Sequence, residues 1–285
     1  MIGTPYIYER GGIALANCTA ISTKHLAQAA YDTMDLLMCG CGVGKKIQPL
    51  SSLDKDSKKI FIGIDTVWDG KVYEPVERTR EDIFIIPDSR EGWCLSVLFL
   101  LKAYLVPVTS ICRYDYRYYL FSRLFHSNII SHIRPKGSPL KGFGGTASGP
   151  EPLKKLHARI NGTFRRYLNK EFGKTRLIAD IMNSISCCVI AGNVRRSSMI
   201  ILGSMDDDEF INLKNYELHP DRAEIGWTSN NSVLIDKEED IERLTKILPN
   251  IIKNGEPGIF FFERERERER EGRSRMILTS SNRYL

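Results

Sequence analysis

Short apolar runs alternate with helical stripes along almost the whole chain. Residues 13–21 read as a buried strand behind a glycine turn. Leu26, Ala29, Ala30, Met34 and Leu37 recur at helical spacing, which predicts an amphipathic helix over 24–38 that ends at Gly40. A strand is expected over 59–67. A helix through Trp93, Val97 and Leu101 follows, opened by a capping box of Asp88 and Glu91. Leu153, Leu156, Ile160 and Phe164 form the stripe of a helix starting near Gly149, with Ser148 as its N-cap, Glu151 closing a second box and prolines in the first turn. The next stripe is Leu177, Ile178, Ile181, Met182 and Ile185, in a helix over 175–188. A strand over 199–202 leads to a short helix capped within 206–208, and SNNSV opens a strand toward Asp236. Ile241, Leu244, Leu248 and Ile252 predict a helix over 238–253, kinked at Pro249 and stopped by Gly255. PGIFFF reads as one more buried strand. Helices alternating with strands in this way predict an α/β architecture with parallel strands.

The composition is that of an ordinary globular protein: 285 residues, 42% hydrophobic and 27% charged. A net charge of +6 is modest and dispersed, so no nucleic-acid partner is expected. The seven cysteines form no zinc-type pair of pairs and follow no signal peptide, which points to a reducing, cytoplasmic setting. The apolar run 95–108 is interrupted by Lys102 and Pro107 and is too short to span a bilayer, so no membrane partner is expected. Two stretches break the pattern. Residues 105–127 interleave arginines with tyrosines and read as an atypical insert, and residues 263–285, opening on ERERERERE, form a low-complexity charged tail with no apolar stripe, expected to lie apart from a domain over 1–262.

The densest chemistry lies in IRPKGSPLKGFGGTASGPEPL, Ile133 to Leu153. Gly137, Gly142, Gly144, Gly145 and Gly149 free the backbone for positive φ and for N–H groups to converge on a ligand. A helix start beside them, with Arg134, Lys136 and Lys141, suits a phosphate. A capped surface loop is the alternative.

This run resembles the first specificity loop of ribonucleotide reductases, and IRPxG followed by GFGGTASGPxPL is most similar to the monomeric, adenosylcobalamin-dependent (class II) ribonucleoside-triphosphate reductases. Further motifs agree in order: GGIALANC at Gly11 to Cys18, GCGVG at Gly40 to Gly44, PDSREGW at Pro87 to Trp93, AGNVRRS at Ala191 to Ser197, GWTSNNSV at Gly226 to Val233, and NGEPGI at Asn254 to Ile259. The resemblance implies the first part of a ten-stranded α/β barrel, adenosylcobalamin as cofactor, ribonucleoside triphosphates as substrates, a deoxynucleoside triphosphate effector and a thioredoxin-type reductant.

It also implies residue roles. Cys18 matches one half of the dithiol that reduces the ribose; on its own it reads as a small buried hydrophobe at a strand end. Asn17, Gly42 and Arg195 would meet the substrate, Gly42 because a missing side chain lets the ribose approach. Arg134, Gly142, Gly144, Gly145 and Ser148 would hold the effector. Gly192, Asn193, Arg195 and Arg196 match the second specificity loop, between effector and substrate. Lys45 and Lys46 stand where the family has an aromatic residue after GCGVG. The family's NPCGE loop with the radical cysteine is not in the sequence, and no cysteine follows Cys188. The expected entity is therefore a partial reductase, inactive alone. A non-catalytic nucleotide-binding module, or a half-barrel that fails to fold with two open edges, are the other readings.

Overall fold

The computed structural model describes residues 18–48, 83–105, 113–115, 118–119, 129–130, 133–140, 145–191, 198–235, 241, 243–261 and 277–278. Its centre is a parallel sheet of β1 (Cys18–Ser22), β2 (Gly42–Lys46), β7 (Met199–Gly203), β8 (Asn230–Ile235) and β9 (Gly258–Phe261), adjacent in that order. The expected strands over 13–21 and 59–67 fall wholly or partly outside the described residues. The residues 105–127 hold β4 (Arg113–Asp115), paired in parallel with β3 (Ile83–Ile85), and β5 (Tyr118–Tyr119), antiparallel to β6 (Ile129–Ile130).

The helices follow the apolar stripes closely. They are α1 (Leu26–Met38), α2 (Arg90–Leu105), α3 (Glu151–Leu168), α4 (Lys174–Ile190), the single turn α5 (Asp208–Ile211) and α6 (Leu248–Asn254). α1 packs on β1 and β2 and against α2 and α4, and α3 packs on α4. Leu153, Leu156, Ile160 and Phe164 of α3 and Leu177, Ile178, Ile181, Met182 and Ile185 of α4 are all buried in one core. Each such side chain contributes roughly 1.5–3 kcal/mol of burial.

Strand parity assigns the two faces of the sheet. Thr19, Val43, Met199, Ile201 and Val233 turn toward the buried core. Lys45 shares that face and is 1% exposed, its Nζ donating to Met199 Sδ at 2.8 Å. Burial pushes its amine well below the usual lysine range. Gly203 lies under the Phe210 ring, where a Cβ would stand 2.3 Å from the ring's Cγ.

Several local expectations are corrected. Ser148 does not cap α3. Gly149 adopts φ +76° and turns the chain, the N-cap position falls on Pro150, and Glu151 pairs with Lys154 at 2.8 Å instead of reaching back. On α2 the capping oxygen belongs to Ser89, whose Oγ accepts from Gly92 N at 2.9 Å, while Asp88 turns away to Arg134. Of the helix expected over 238–253, residues 238–240 and 242 lie outside the described residues and Ile241 is helical, but 243–253 is a 3-10 turn, Arg243–Lys246, followed by the separate α6 with Pro249 in its first turn. The proline has no N–H to continue a ladder, so the helix restarts there rather than kinking. Its intended core face stays wet: Leu248 and Ile252 are 44% and 84% exposed. β9 is only half-buried. The tail, expected to lie apart, returns as β10 (Ile277–Leu278), which pairs in parallel with β1 through Thr19 and Ala20. Two aliphatic residues after the charged run suffice to extend the ladder on an open edge.

Candidate functional site

The amino-terminal ends of the five parallel strands bring together what the sequence scatters. GGIALANC ends as β1 begins, and GCGVG straddles the start of β2. AGNVRRS immediately precedes β7, SNNSV opens β8, and NGEPGI runs into β9. Open α/β sheets usually bind ligands at the carboxyl ends of their strands; here the motifs gather at the opposite end.

At that end Cys18 is the register partner of Gly42. In a parallel pair the two residues share a face, so the thiol lies beside a position with no side chain, on the sheet face opposite the helices. Cys18 is exposed, whereas Cys39, Cys41, Cys94 and Cys188 are buried. Burial raises the thiols of Cys41, Cys94 and Cys188, which keeps them protonated and inert. The reading of Cys18 as a small buried residue does not hold. On the same face the row Ala20, Gly44, Ile200, Asn230 continues across β2, β7 and β8.

A polar lattice fixes this rim. Arg222, fully buried, donates to Asp180 at 2.6 Å and to Asn183 at 3.0 Å. Asn183 donates to Thr228 at 3.0 Å and Ser229 at 2.9 Å, and Ser229 to Asn231 at 3.0 Å. Glu256 accepts from Asn231 N at 2.9 Å and pairs with Lys214 at 2.8 Å. Ser229, Asn231 and Glu256, which belong to GWTSNNSV and NGEPGI, thus set the entries of β8 and β9. Such buried groups are stable only as a satisfied network.

The glycine-rich loop forms the second half of the site. It is a small hairpin: Gly137 N donates to Ala147 O at 2.9 Å, Ala147 N to Ser138 O at 2.8 Å and Leu140 N to Gly145 O at 3.0 Å. The amides of Gly137, Leu140 and Ala147 are thus engaged within the loop itself. Gly145 has φ +86°, and a Cβ on Gly149 would stand 2.9 Å from Lys136 N. The hairpin and the start of α2 flank an open cleft of about 220 Å³. Asp88, Ser89, Arg90 and Trp93 line one side, Arg134, Thr146 and Ser148 the other, and Cys188 the base. Arg134 Nε donates to Asp88 at 2.7 Å and its Nη1 to Pro139 O at 3.3 Å, which leaves Nη2 without a partner among the described residues. Arg90 is bound by Asp35 at 2.8 Å and Glu91 at 2.9 Å. Burial, the largest single effect, would lower its guanidinium, but Asp35, Cys39 and Glu91 together outweigh it and raise it.

Of the residues singled out from sequence, Cys18 and Gly42 meet at the rim, and Arg134 and Ser148 meet in the cavity with Gly145 in its hairpin. Asn17, Gly142, Gly144, Gly192, Asn193, Arg195 and Arg196 lie outside the described residues. Sequence reading missed Asp88, Ser89, Arg90 and Trp93 as cavity residues. PDSREGW was visible, and a helix start facing a basic glycine loop was the available signal.

The architecture is that of an α/β protein built like the barrel part of class II ribonucleotide reductase. A crystal structure of the B-12 dependent (class II) enzyme superposes with a TM-score of 0.67 at 26% identity, covering 91% of this chain and 38% of that one. An adenosylcobalamin-dependent ribonucleoside-triphosphate reductase of Euglena gracilis is 37% identical over 90% of this chain and 31% of its own length. The enzyme of the same name from Lacticaseibacillus paracasei is 39% identical over 92% of this chain and 38% of its own. Residues 65–164 match the family "B12-dependent ribonucleotide reductase, insertion domain", a stretch that runs through 105–127 and the hairpin. The chain belongs to the adenosylcobalamin-dependent ribonucleotide reductase family. It spans about a third of the length of the relatives it matches.

Proposed function

We propose that this chain supplies the thiol and effector side of an adenosylcobalamin-dependent ribonucleoside-triphosphate reductase. The pairing of exposed Cys18 with Gly42 on the helix-free face carries the reading. The ribose of a ribonucleoside triphosphate lies over Gly42, in contact with Asn17, and Cys18 donates reducing equivalents as one member of a dithiol. Gly192, Asn193, Arg195 and Arg196 of the second specificity loop, which precedes β7, read the base. A thioredoxin-type protein restores the thiols, and the setting is cytoplasmic. Among the described residues no helix is long and apolar enough to cross a membrane. Adenosylcobalamin supplies the radical in this chemistry. The chain's own part is to present the thiol, place the ribose and sense the effector.

The test is complementation. The 285-residue chain alone should show no turnover with a ribonucleoside triphosphate, adenosylcobalamin and dithiol, because its sequence has no NPCGE loop. Supplying the remainder of a relative in trans should restore product, and Cys18→Ser should abolish it, since a hydroxyl cannot form the disulfide that releases the two electrons. Product from the Cys18→Ser pair would refute the assignment.

A non-catalytic nucleotide-binding role is the second reading, favoured by Arg134 and Ser148 lining one open cleft under the hairpin. A deoxynucleoside triphosphate there would use Arg134 on its phosphates, with Ser148, Gly145, Gly142 and Gly144 around it. Charge-assisted bonds contribute roughly 1.5–3 kcal/mol each, so Arg134→Ala should weaken binding about tenfold or more without changing base preference. Equal calorimetric affinity for both proteins would remove the effector site.

A further inference from the structure

A second cavity, of about 310 Å³, lies between α3, α4 and the 3-10 turn Gly226–Thr228. It shares only Cys188 with the cavity under the hairpin. That volume is at the small end of ligand pockets, about 300 Å³. Leu156 and Cys188 form a buried apolar floor. Trp227 forms a wall: its Nε1 donates to Glu224 O at 3.0 Å, which holds the indole, yet the residue is 61% exposed. An indole held by its own N–H yet exposed beside a cavity offers its ring face as a stacking surface.

The opposite side is cationic. Lys155 and Arg159 stand one helical turn apart on α3, and both act on the Cys187 thiol in the cavity, opposing the rise that burial imposes on it. Arg159 pairs with the exposed carboxylate of Glu224. Lys155 has no hydrogen-bond or ion-pair partner among the described residues. An aromatic wall, an apolar floor and one free cation beside one exchangeable cation together select a flat ring that carries an anionic group.

We propose that this cavity binds a planar heteroaromatic anion of the nucleoside-monophosphate class, with its ring on Trp227 and its anionic group on Lys155 and Arg159. The site is separate from the one under the hairpin and does not depend on the effector reading. Ala191 lines it, and AGNVRRS continues from that residue, so an occupant sits at the root of the second specificity loop.

Calorimetric titration of the 285-residue chain with AMP tests this, with adenosine and inorganic phosphate as the two half-probes. AMP should saturate one site and bind roughly tenfold or more tighter than either half, a gap of about 1.4 kcal/mol per tenfold. Trp227→Leu and Lys155→Glu should each weaken AMP about tenfold or more. Trp227→Phe, which keeps a ring, should restore most of the affinity, and Arg134→Ala, in the other cavity, should leave it unchanged. All three positions 155, 227 and 134 are outside the core, and unchanged circular dichroism confirms that each variant is folded. The proposal is overturned by any of three results: AMP heats unmoved by Trp227→Leu and Lys155→Glu, phosphate binding as tightly as AMP, or loss of AMP binding in Arg134→Ala. Absence of any AMP heat also overturns it.

Discussion

His157 shows at the scale of one residue how this chain trades polarity against burial. It is fully buried on α3, and its Nε2 lies 3.0 Å from Ser96 Oγ on α2. Ser96 donates its own proton to Trp93 O at 2.7 Å, so the imidazole must be the donor in the pair and carries its proton on Nε2. Burial pushes the pKa of His157 down to about 3 from an ordinary 6.5. The folded protein therefore holds it neutral while the unfolded chain protonates it. The stability it contributes is complete above pH 6.5 and is lost as pH falls from 6.5 toward 3, at up to about 1.4 kcal/mol per pH unit. Urea denaturation between pH 7 and 4 should show that slope, and His157→Gln, which keeps a donor for Ser96, should remove about one proton's worth of it. An unchanged slope in the variant would show that His157 is not the titrating group.

At the scale of elements, the glycines of the hairpin and of α3 separate two kinds of backbone demand. Gly149 has φ +76° and no room for a Cβ beside Lys136, whereas Gly162, inside α3, meets nothing within 4 Å. Gly149→Ala should cost about 1–3 kcal/mol, lowering the Tm by roughly 2–4 °C for each kcal/mol, and should disturb the cavity that Gly149 lines. Gly162→Ala should instead stabilise by about 0.4–1 kcal/mol. Thermal melts of the two variants moving in the same direction would contradict this. The contrast also shows what the sequence could convey. Helical stripes were legible because a 3.6 period must bury one face, and α1, α3 and α4 follow it nearly residue for residue. Cap residues were not, because Ser148, Ser89 and Pro150 are distinguished only by the turn that Gly149 and Pro87 impose. The cavity was half legible: the basic glycine loop was visible, but Asp88 and Arg134 are paired across 46 residues, and no local pattern announces that contact. The lattice around Arg222 was invisible for the same reason, since it joins α4 to two strand entries far apart in the chain.

For the whole molecule, the two edges of the sheet decide its behaviour in solution. β1 is covered by β10, a ladder of only two residue pairs. Beyond β9 the sheet has no further strand among the described residues. Most of the stripe expected to be buried is exposed, Ile252 at 84%, Ile241 at 47% and Leu248 at 44%, while Leu244 packs against the core; on β9 itself Ile259 is 39% exposed. An open parallel edge beside exposed aliphatic side chains is a template for pairing with another chain. Burying these side chains against a partner, roughly 1.5–3 kcal/mol for each one fully buried, adds to the edge hydrogen bonds in favour of association. The 285-residue chain should therefore self-associate in sedimentation velocity as concentration rises. Ile252→Lys combined with Leu248→Lys should return it to monomer with little change in Tm, because neither side chain is in the core. If the remainder of a relative occupies the same edge, adding it should dissociate the self-complex in the same experiment. A wild-type chain that remains monomeric throughout the concentration series would show that this edge is closed by other means.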